Sequence, residues 1–265
     1  MSLPSVGPEA HAAHREPVPE EGPILGVHTI RADDALLELT QGQGFPWLIQ
    51  LLEWREVEPA PGEYFWEYPD WLVRAAEHYD LDLVLRLDHA PHWALSGGQG
   101  PPVYVEAYAG FVGEVARRYQ GRIAAYVIWN EPNLAAEWND QPPDPEGYVD
   151  LLCAAQAAIQ TADPGTSVIS AGLAPTNQTD PSAMDDRIYL QEMYAAGAGA
   201  CFDVLGAHPY GFAYPPDDAY GAHDGLNYAR LTDLRAIMVA EGEGHKAVWA
   251  TELGWTTDPV GPDRE

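Results

Sequence analysis

The chain has 265 residues and a formal net charge of −28, from 41 acidic and 13 basic side chains. That surplus repels phosphate backbones and anionic lipid, so it excludes nucleic acid and membrane surfaces as partners and leaves a neutral polyol such as a sugar free to bind. With 46% hydrophobic residues, nine Trp and fourteen Tyr, the chain can bury a large core and still line a cleft with rings.

Residues 1–22 (MSLPSVGPEAHAAHREPVPEEG) are rich in Pro and Glu and read as a flexible lead-in, ahead of one domain over 23–265. The lead-in has no signal-type apolar region and no stretch of the chain reaches a membrane span of about 20 apolar residues. Secretion and cytoplasmic residence are both compatible with this, and no pattern addresses oligomeric state. Cys153 falls in a helical pattern and Cys201 just before a strand; they match no metal spacing and no disulfide framework, so both are expected as packed free thiols.

From residue 24 onward short apolar runs recur: ILGVHTI (24–30), PWLIQLLEW (46–54), LDLVLRLDH (81–89), IAAYVIWNE (123–131), SVISAGLAP (167–175), FDVLGAHPY (202–210) and AVWATELGW (247–255). Each is apolar on both faces, the pattern of parallel strands covered on both sides. Between them lie helical periods. Leu72, Val73, Ala76 and Tyr79 share one stripe, and so do Tyr108, Phe111, Val112 and Val115. Asp144-Pro145 supplies a capping Asp and a first-turn Pro, and Asp233, Leu234, Ile237 and Met238 belong to the last clear helix.

Strand then helix, mostly about 35 to 45 residues apart, predicts an α/β fold, the (β/α)₈ TIM barrel. The runner-up, a doubly wound open sheet, usually carries a Gly-rich turn after its first strand, and RADDALLE after Ile30 has none. Seven strands are counted. Only ten residues follow Trp255, too few for an eighth strand and helix, so the expected barrel lacks its eighth unit in this chain.

A parallel barrel carries its active site where the strands end. The polar and aromatic groups so collected are Glu53, Trp54, Asp88, His89, Trp93, Asn130, Glu131, Asn177, His208, Tyr210, Glu252 and Trp255. Glu131 and Glu252 each follow a buried run directly. Two carboxyls facing one cleft among Trp and Tyr suit glycoside hydrolysis, in which one protonates the leaving oxygen and the other attacks or activates water.

In that order, WREVEPAPGEYFWEYPDWLVRAAEHYDLDLVLRL, DHAPHWA, WNEPN, AHPYG and TELGW resemble the second-strand, third-strand, fourth-strand, sixth-strand and seventh-strand segments of the retaining TIM-barrel glycoside hydrolases of clan A, most like families 39 and 5. The likeness covers roughly residues 24–257. It implies a hydrolase of β-linked O-glycosides acting through a covalent intermediate, with Glu131 as acid/base and Glu252 as nucleophile. It also implies Asn130 on the sugar 2-hydroxyl and Tyr210 orienting Glu252, with His208, Trp54, His89, Trp93 and Trp255 as sugar contacts. The implied partner is an oligosaccharide, a polysaccharide or a small β-glycoside, and no cofactor or metal is required. The superfamily often has a basic residue on its second strand, where Gln50 stands here, and Arg86 could supply that charge or pair with Asp88 or Glu53.

Other chemistries fit less well. Asp88, His89 and His92 lack the fixed spacing of a zinc site. A Schiff-base aldolase needs a well-placed lysine, and the sole lysine, Lys246, precedes the seventh strand at the wrong end of a barrel. A catalytically inactive carbohydrate-binding barrel is the alternative from another class. Specificity is expected in the loops around 94–104, 134–144, 176–186 and 211–225.

Overall fold

The structure, a computed structural model, describes residues 23–96 and 101–256. The proposed lead-in and part of the 94–104 loop lie outside the described residues. Nine strands are present among the described residues: β1 Gly26–Thr29, β2 Trp47–Glu53, β3 Asp82–Asp88, β4 Ala125–Ile128, β5 Ser167–Ser170, β6 Thr179–Asp180, β7 Ala183–Met184, β8 Val204–Ala207 and β9 Ala247–Ala250. Seven of them form one parallel sheet in the order β1-β2-β3-β4-β5-β8-β9, while β6 and β7 make a small antiparallel hairpin. The helices are α1 Asp34–Gly42, α2 Trp54–Val57, α3 Glu67–His78, α4 Val105–Arg118, α5 Pro145–Ala162, α6 Asp186–Ala195 and α7 Leu231–Ala240. Chain order equals sheet order, so the sheet curls as a partial (β/α)₈ barrel.

Each apolar run of the sequence contains one strand of this sheet. The period of two then sorts residues between two cores. In β3, Leu83, Leu85 and Leu87 face the helices and join the large outer cluster, while Val84 faces inward with Ala125, Val127, Ile169 and Val204. Arg86 and Asp88 stand on that inward side, two and four residues beyond Val84. The helices begin where the sequence supplies acceptors: Asp33 takes the Leu36 amide at 2.9 Å and Asp144 takes Gly147 at 3.0 Å, with Pro145 in the first turn. Among the described residues no helix is long and apolar enough to cross a membrane.

The barrel is open between β1 and β9. Within the sheet, β1 pairs with β2 alone and β9 with β8 alone. Trp47 of β2 and Trp249 of β9 meet across the interior at 5.2 Å, edge to face. Ile24, Leu25 and Ile30 beside β1, Leu39 on α1 and Val239 on α7 are all exposed. In a closed barrel an eighth strand and helix would stand between β1 and β9.

One expectation is corrected. Cys153 and Cys201 are not free thiols; they form a disulfide, with Cα atoms 4.8 Å apart and 48 positions apart in sequence. Sequence spacing hides this because the contact is made by packing: α5 lies against the short Ala198–Ala200 turn that leads into β8. On the chain-entropy account, closing a loop of this length stabilises the fold by about 4 kcal/mol. Reduction, or Cys153→Ser with Cys201→Ser, is therefore expected to lower the unfolding free energy by about that amount and to move the urea midpoint down accordingly, and coincident unfolding curves with and without reductant would refute it.

Candidate active site

The inward face of β3 begins the site. Arg86 is 6% exposed; its Nε lies 3.0 Å from Asp88 Oδ2, and its Nη1 donates to Asn130 Oδ1 at 3.1 Å and to Glu252 Oε1. One buried guanidinium thus joins the ends of β3, β4 and β9. The pairings expected of Arg86 with Asp88 and with the Glu252 carboxylate both occur, and Glu53 pairs with Arg55 instead. Gln50 braces the backbone: Oε1 accepts from Thr29 Oγ1 at 2.7 Å and Ala32 N at 2.9 Å, and Nε2 donates to Leu51 O at 2.7 Å.

Beyond β4 the chain turns sharply. Trp129 (φ 72°) and Glu131 (φ 35°) are left-handed, a costly backbone for side chains of this size and one often found at functional sites. Asn133 holds the turn by accepting from Ala174 N and donating to Ala174 O, both at 2.9 Å, and to Met184 O at 3.0 Å. Glu131 N donates to Gly172 O at 3.1 Å. Gly172 must lack a side chain, since a Cβ there would collide with the His208 ring.

His208, buried beyond β8, places Nδ1 2.7 Å from Glu131 Oε1 and 4.0 Å from Glu252 Oε2. Tyr210 Oη donates to Glu252 Oε2 at 2.5 Å. One carboxylate oxygen of Glu131, one of Glu252 and a ring nitrogen of His208 all lie within 4.8 Å of one another.

The two carboxyls have different surroundings. Burial pushes the Glu252 carboxyl up, but His208, the Tyr210 hydroxyl, Arg86 and His28 together outweigh it, and its pKa is held below the ordinary carboxylate value. Glu131 has the His208 ring as its hydrogen-bond partner and no guanidinium. Glu131, His208 and Glu252 have the donor types and spacing of a metal site, but the Arg86 guanidinium on Glu252 already neutralises that carboxylate and repels a second cation. Asp88, His89 and His92 form no metal cluster among the described residues.

Sequence-predicted residues therefore divide. Asn130, Glu131, His208, Tyr210 and Glu252 come together. His89, itself left-handed (φ 56°), sets Nδ1 2.5 Å from Asp88 Oδ1, which raises its pKa; with Trp93 it lines an adjoining cavity of about 700 Å³ between the ends of β3 and β4. Trp255 stands at the rim, 39% exposed, its Nε1 donating to Tyr214 O at 2.8 Å. Asn177 is taken up by Arg230 and Arg187.

Trp54 is not a sugar contact. It opens α2, fully buried, stacked on Phe111 at 5.2 Å with Nε1 on Glu58 Oε2 at 2.8 Å. The turn from β2 into α2 carries the ring outward into the helix layer.

Two residues escaped the strand-end rule. His28, two positions past Gly26 and on the inward side of β1, has Nδ1 3.9 Å from Glu252 Oε1; burial and Arg86 push its pKa down to about 4, so it is neutral at ordinary pH. A polar residue inside the run ILGVHTI was the available signal. Glu137, in the loop after β4, lines the cavity with His89.

No protein-family model matches the chain, and no curated protein matches it in sequence. Solved structures do. A family 39 glycoside hydrolase from the gut symbiont Bacteroides cellulosilyticus WH2 aligns at TM-score 0.66 and 22% identity, over 88% of this chain and 49% of that one. A glucosidase from Croceicoccus marinus aligns at 0.62 and 14%, over 89% and 52%, and xylanase 10B from Thermotoga maritima at 0.59 and 16%, over 90% and 72%. The chain spans about half the length of the first two. What these structures share with it is the barrel, and the chain has the fold of the TIM-barrel glycoside hydrolases over seven of the eight strands.

Proposed function

We propose that the chain is a glycoside hydrolase that cleaves β-linked O-glycosides with retention. The observation that carries this reading is the Glu131–Glu252 pair. These carboxyls stand at the ends of the fourth and seventh strands of the sheet, with oxygens within 4.8 Å, where retaining chemistry places two carboxyl groups roughly 5 to 5.5 Å apart. In this reading a Glu252 oxygen attacks the anomeric carbon. The bond to the leaving oxygen breaks as that oxygen takes the proton of Glu131, leaving a glycosyl ester on Glu252. Glu131, now a base, removes a proton from water, which attacks the same carbon and frees Glu252. Tyr210 and Arg86 keep Glu252 ionised and aimed, and Asn130, fixed by Arg86, presents its amide to the sugar 2-hydroxyl.

Trp93, His89 and Trp255 supply ring faces and a donor for the substrate, an oligosaccharide, polysaccharide or small β-glycoside. The test is proton NMR of the sugar first released from a panel of aryl β-glycosides (glucoside, xyloside, galactoside, mannoside, cellobioside). The β-anomer is expected first. Initial release of the α-anomer would rule out retention.

A further inference from the structure

The cavity beside the carboxyl pair contains an acidic group that the proposed reaction does not use. Asp88, His89, His92, Trp93, Trp129 and Glu137 line it. Most of its charges are already matched: Asp88 faces Arg86 and His89, and Arg55 at its edge has its guanidinium on Glu53 at 2.6 Å. Glu137 is different. It is half-buried, and among the described residues it forms no salt bridge.

Its place is nonetheless well fixed. Trp129 Nε1 donates to its carbonyl at 2.9 Å, its own amide donates to Leu134 O at 3.1 Å, and left-handed Asn139 and Asp140 close the loop behind it. Burial pushes its titration up, the Asn130 amide pulls it down, the Glu131 and Asp88 carboxyls push it up again, and His89 opposes them. A carboxylate held beside two others, with an amide donor but no cation of its own, is a group suited to a ligand that brings positive charge.

We propose that Glu137 determines the charge specificity of this cavity: it accepts hydrogen bonds from the sugar unit seated between Trp93 and His89, and it selects an amino or neutral sugar over a uronic acid. This rests on the glycosidase reading. A uronate carboxylate entering here would meet Glu137 and Asp88 in the cavity wall, with the Glu131 charge close behind Glu137, and like charges repel. An ammonium gives Glu137 the cation it lacks, and a hydroxyl gives it a second donor beside the Asn130 amide. The chain's charge of −28 acts in the same direction at longer range.

Tryptophan fluorescence, with Trp93 and Trp129 in the cavity wall, reads binding without turnover. Titrated near neutral pH, glucosamine is expected to bind more tightly than glucose, and glucuronate most weakly. In Glu137→Gln the glucosamine-to-glucuronate affinity ratio should fall by roughly tenfold or more, while Glu137→Asp, which keeps the charge, should preserve it. An unchanged ratio in the Gln variant, equal affinities in the unsubstituted protein, or no saturable binding of glucosamine would each overturn the assignment. Turnover of aryl glycosides tests the parent reading separately. Discrimination without turnover would keep Glu137 in its role and refute the glycosidase, and turnover without discrimination would do the reverse.

Discussion

Replacing Glu252 with Gln is expected to lower kcat/KM by roughly 10⁴-fold, about 5.5 kcal/mol of transition-state stabilisation, because in the proposed reaction it removes the group that bonds the anomeric carbon. Gln has the size of Glu but neither its charge nor its nucleophilicity, and its amide nitrogen cannot replace the oxygen that accepts from Arg86. Glu131→Gln should behave differently, because a proton donor matters in proportion to the basicity of the leaving group. Alkyl glycosides should lose about 10² to 10⁴-fold, whereas a dinitrophenyl glycoside, whose leaving group needs no proton, should still form the glycosyl ester and then stall. Adding azide, a nucleophile that needs no base, should restore turnover in that variant alone. Equal losses in both variants on both substrates would show that the carboxyls do not have separate roles. A 2-fluoro glycoside should leave a stable adduct, and peptide mapping that places it away from Glu252 would overturn the nucleophile assignment.

The fold could be read from the sequence because parallel strands covered on both faces must be apolar throughout, so seven unbroken runs stand out from helical periods. The ends of the runs could not. The run 123–131 holds a strand of only four residues, Ala125–Ile128, because Trp129 turns left-handed, a backbone choice that hydrophobicity does not encode. Helices α1 and α6 left weaker stripes: α1 buries only Leu37 and Thr40, and α6 mixes buried Tyr189, Leu190 and Met193 with charged neighbours. At the site, residues that follow a strand directly were legible, since strand ends converge in a barrel. Trp54 obeys the same rule and fails it, because the helical turn after β2 reverses the ring's direction. Glu137 is six residues past Glu131, and its position depends on how the loop folds back onto Trp129. The Cys153–Cys201 bond depends on which helix covers which turn. Local pattern specifies elements and strand ends; loop paths and contacts between layers are set by packing.

Arg86→Met should have the second large effect, on stability and on the acid limb of activity together. Arg86 is buried and holds Asp88, Asn130 and Glu252 at once. Removing one partner of a buried ion network leaves the remaining charges uncompensated, at a cost of about 3 to 5 kcal/mol, or a fall in Tm on the order of 10 °C for a chain of this size. The pH dependence arises from Glu252. Its folded pKa lies below the ordinary carboxylate value, so its ionised form contributes stability that is present above the unfolded pKa and lost as pH falls through the folded one. Without Arg86 the effect of burial is opposed only by His208 and Tyr210, and by His28 once acid protonates it. The Glu252 pKa rises, so the acid limb of kcat/KM should move to higher pH and the stability that depends on ionised Glu252 should be lost at a higher pH. Arg86→Lys keeps a charge but not the fork that reaches three partners, so it should recover part of the pH profile and less of the stability. A Met variant with unchanged Tm and an unshifted acid limb would show that Arg86 neither braces the strand ends nor keeps Glu252 ionised, and the charge on the nucleophile would then have to come from His208.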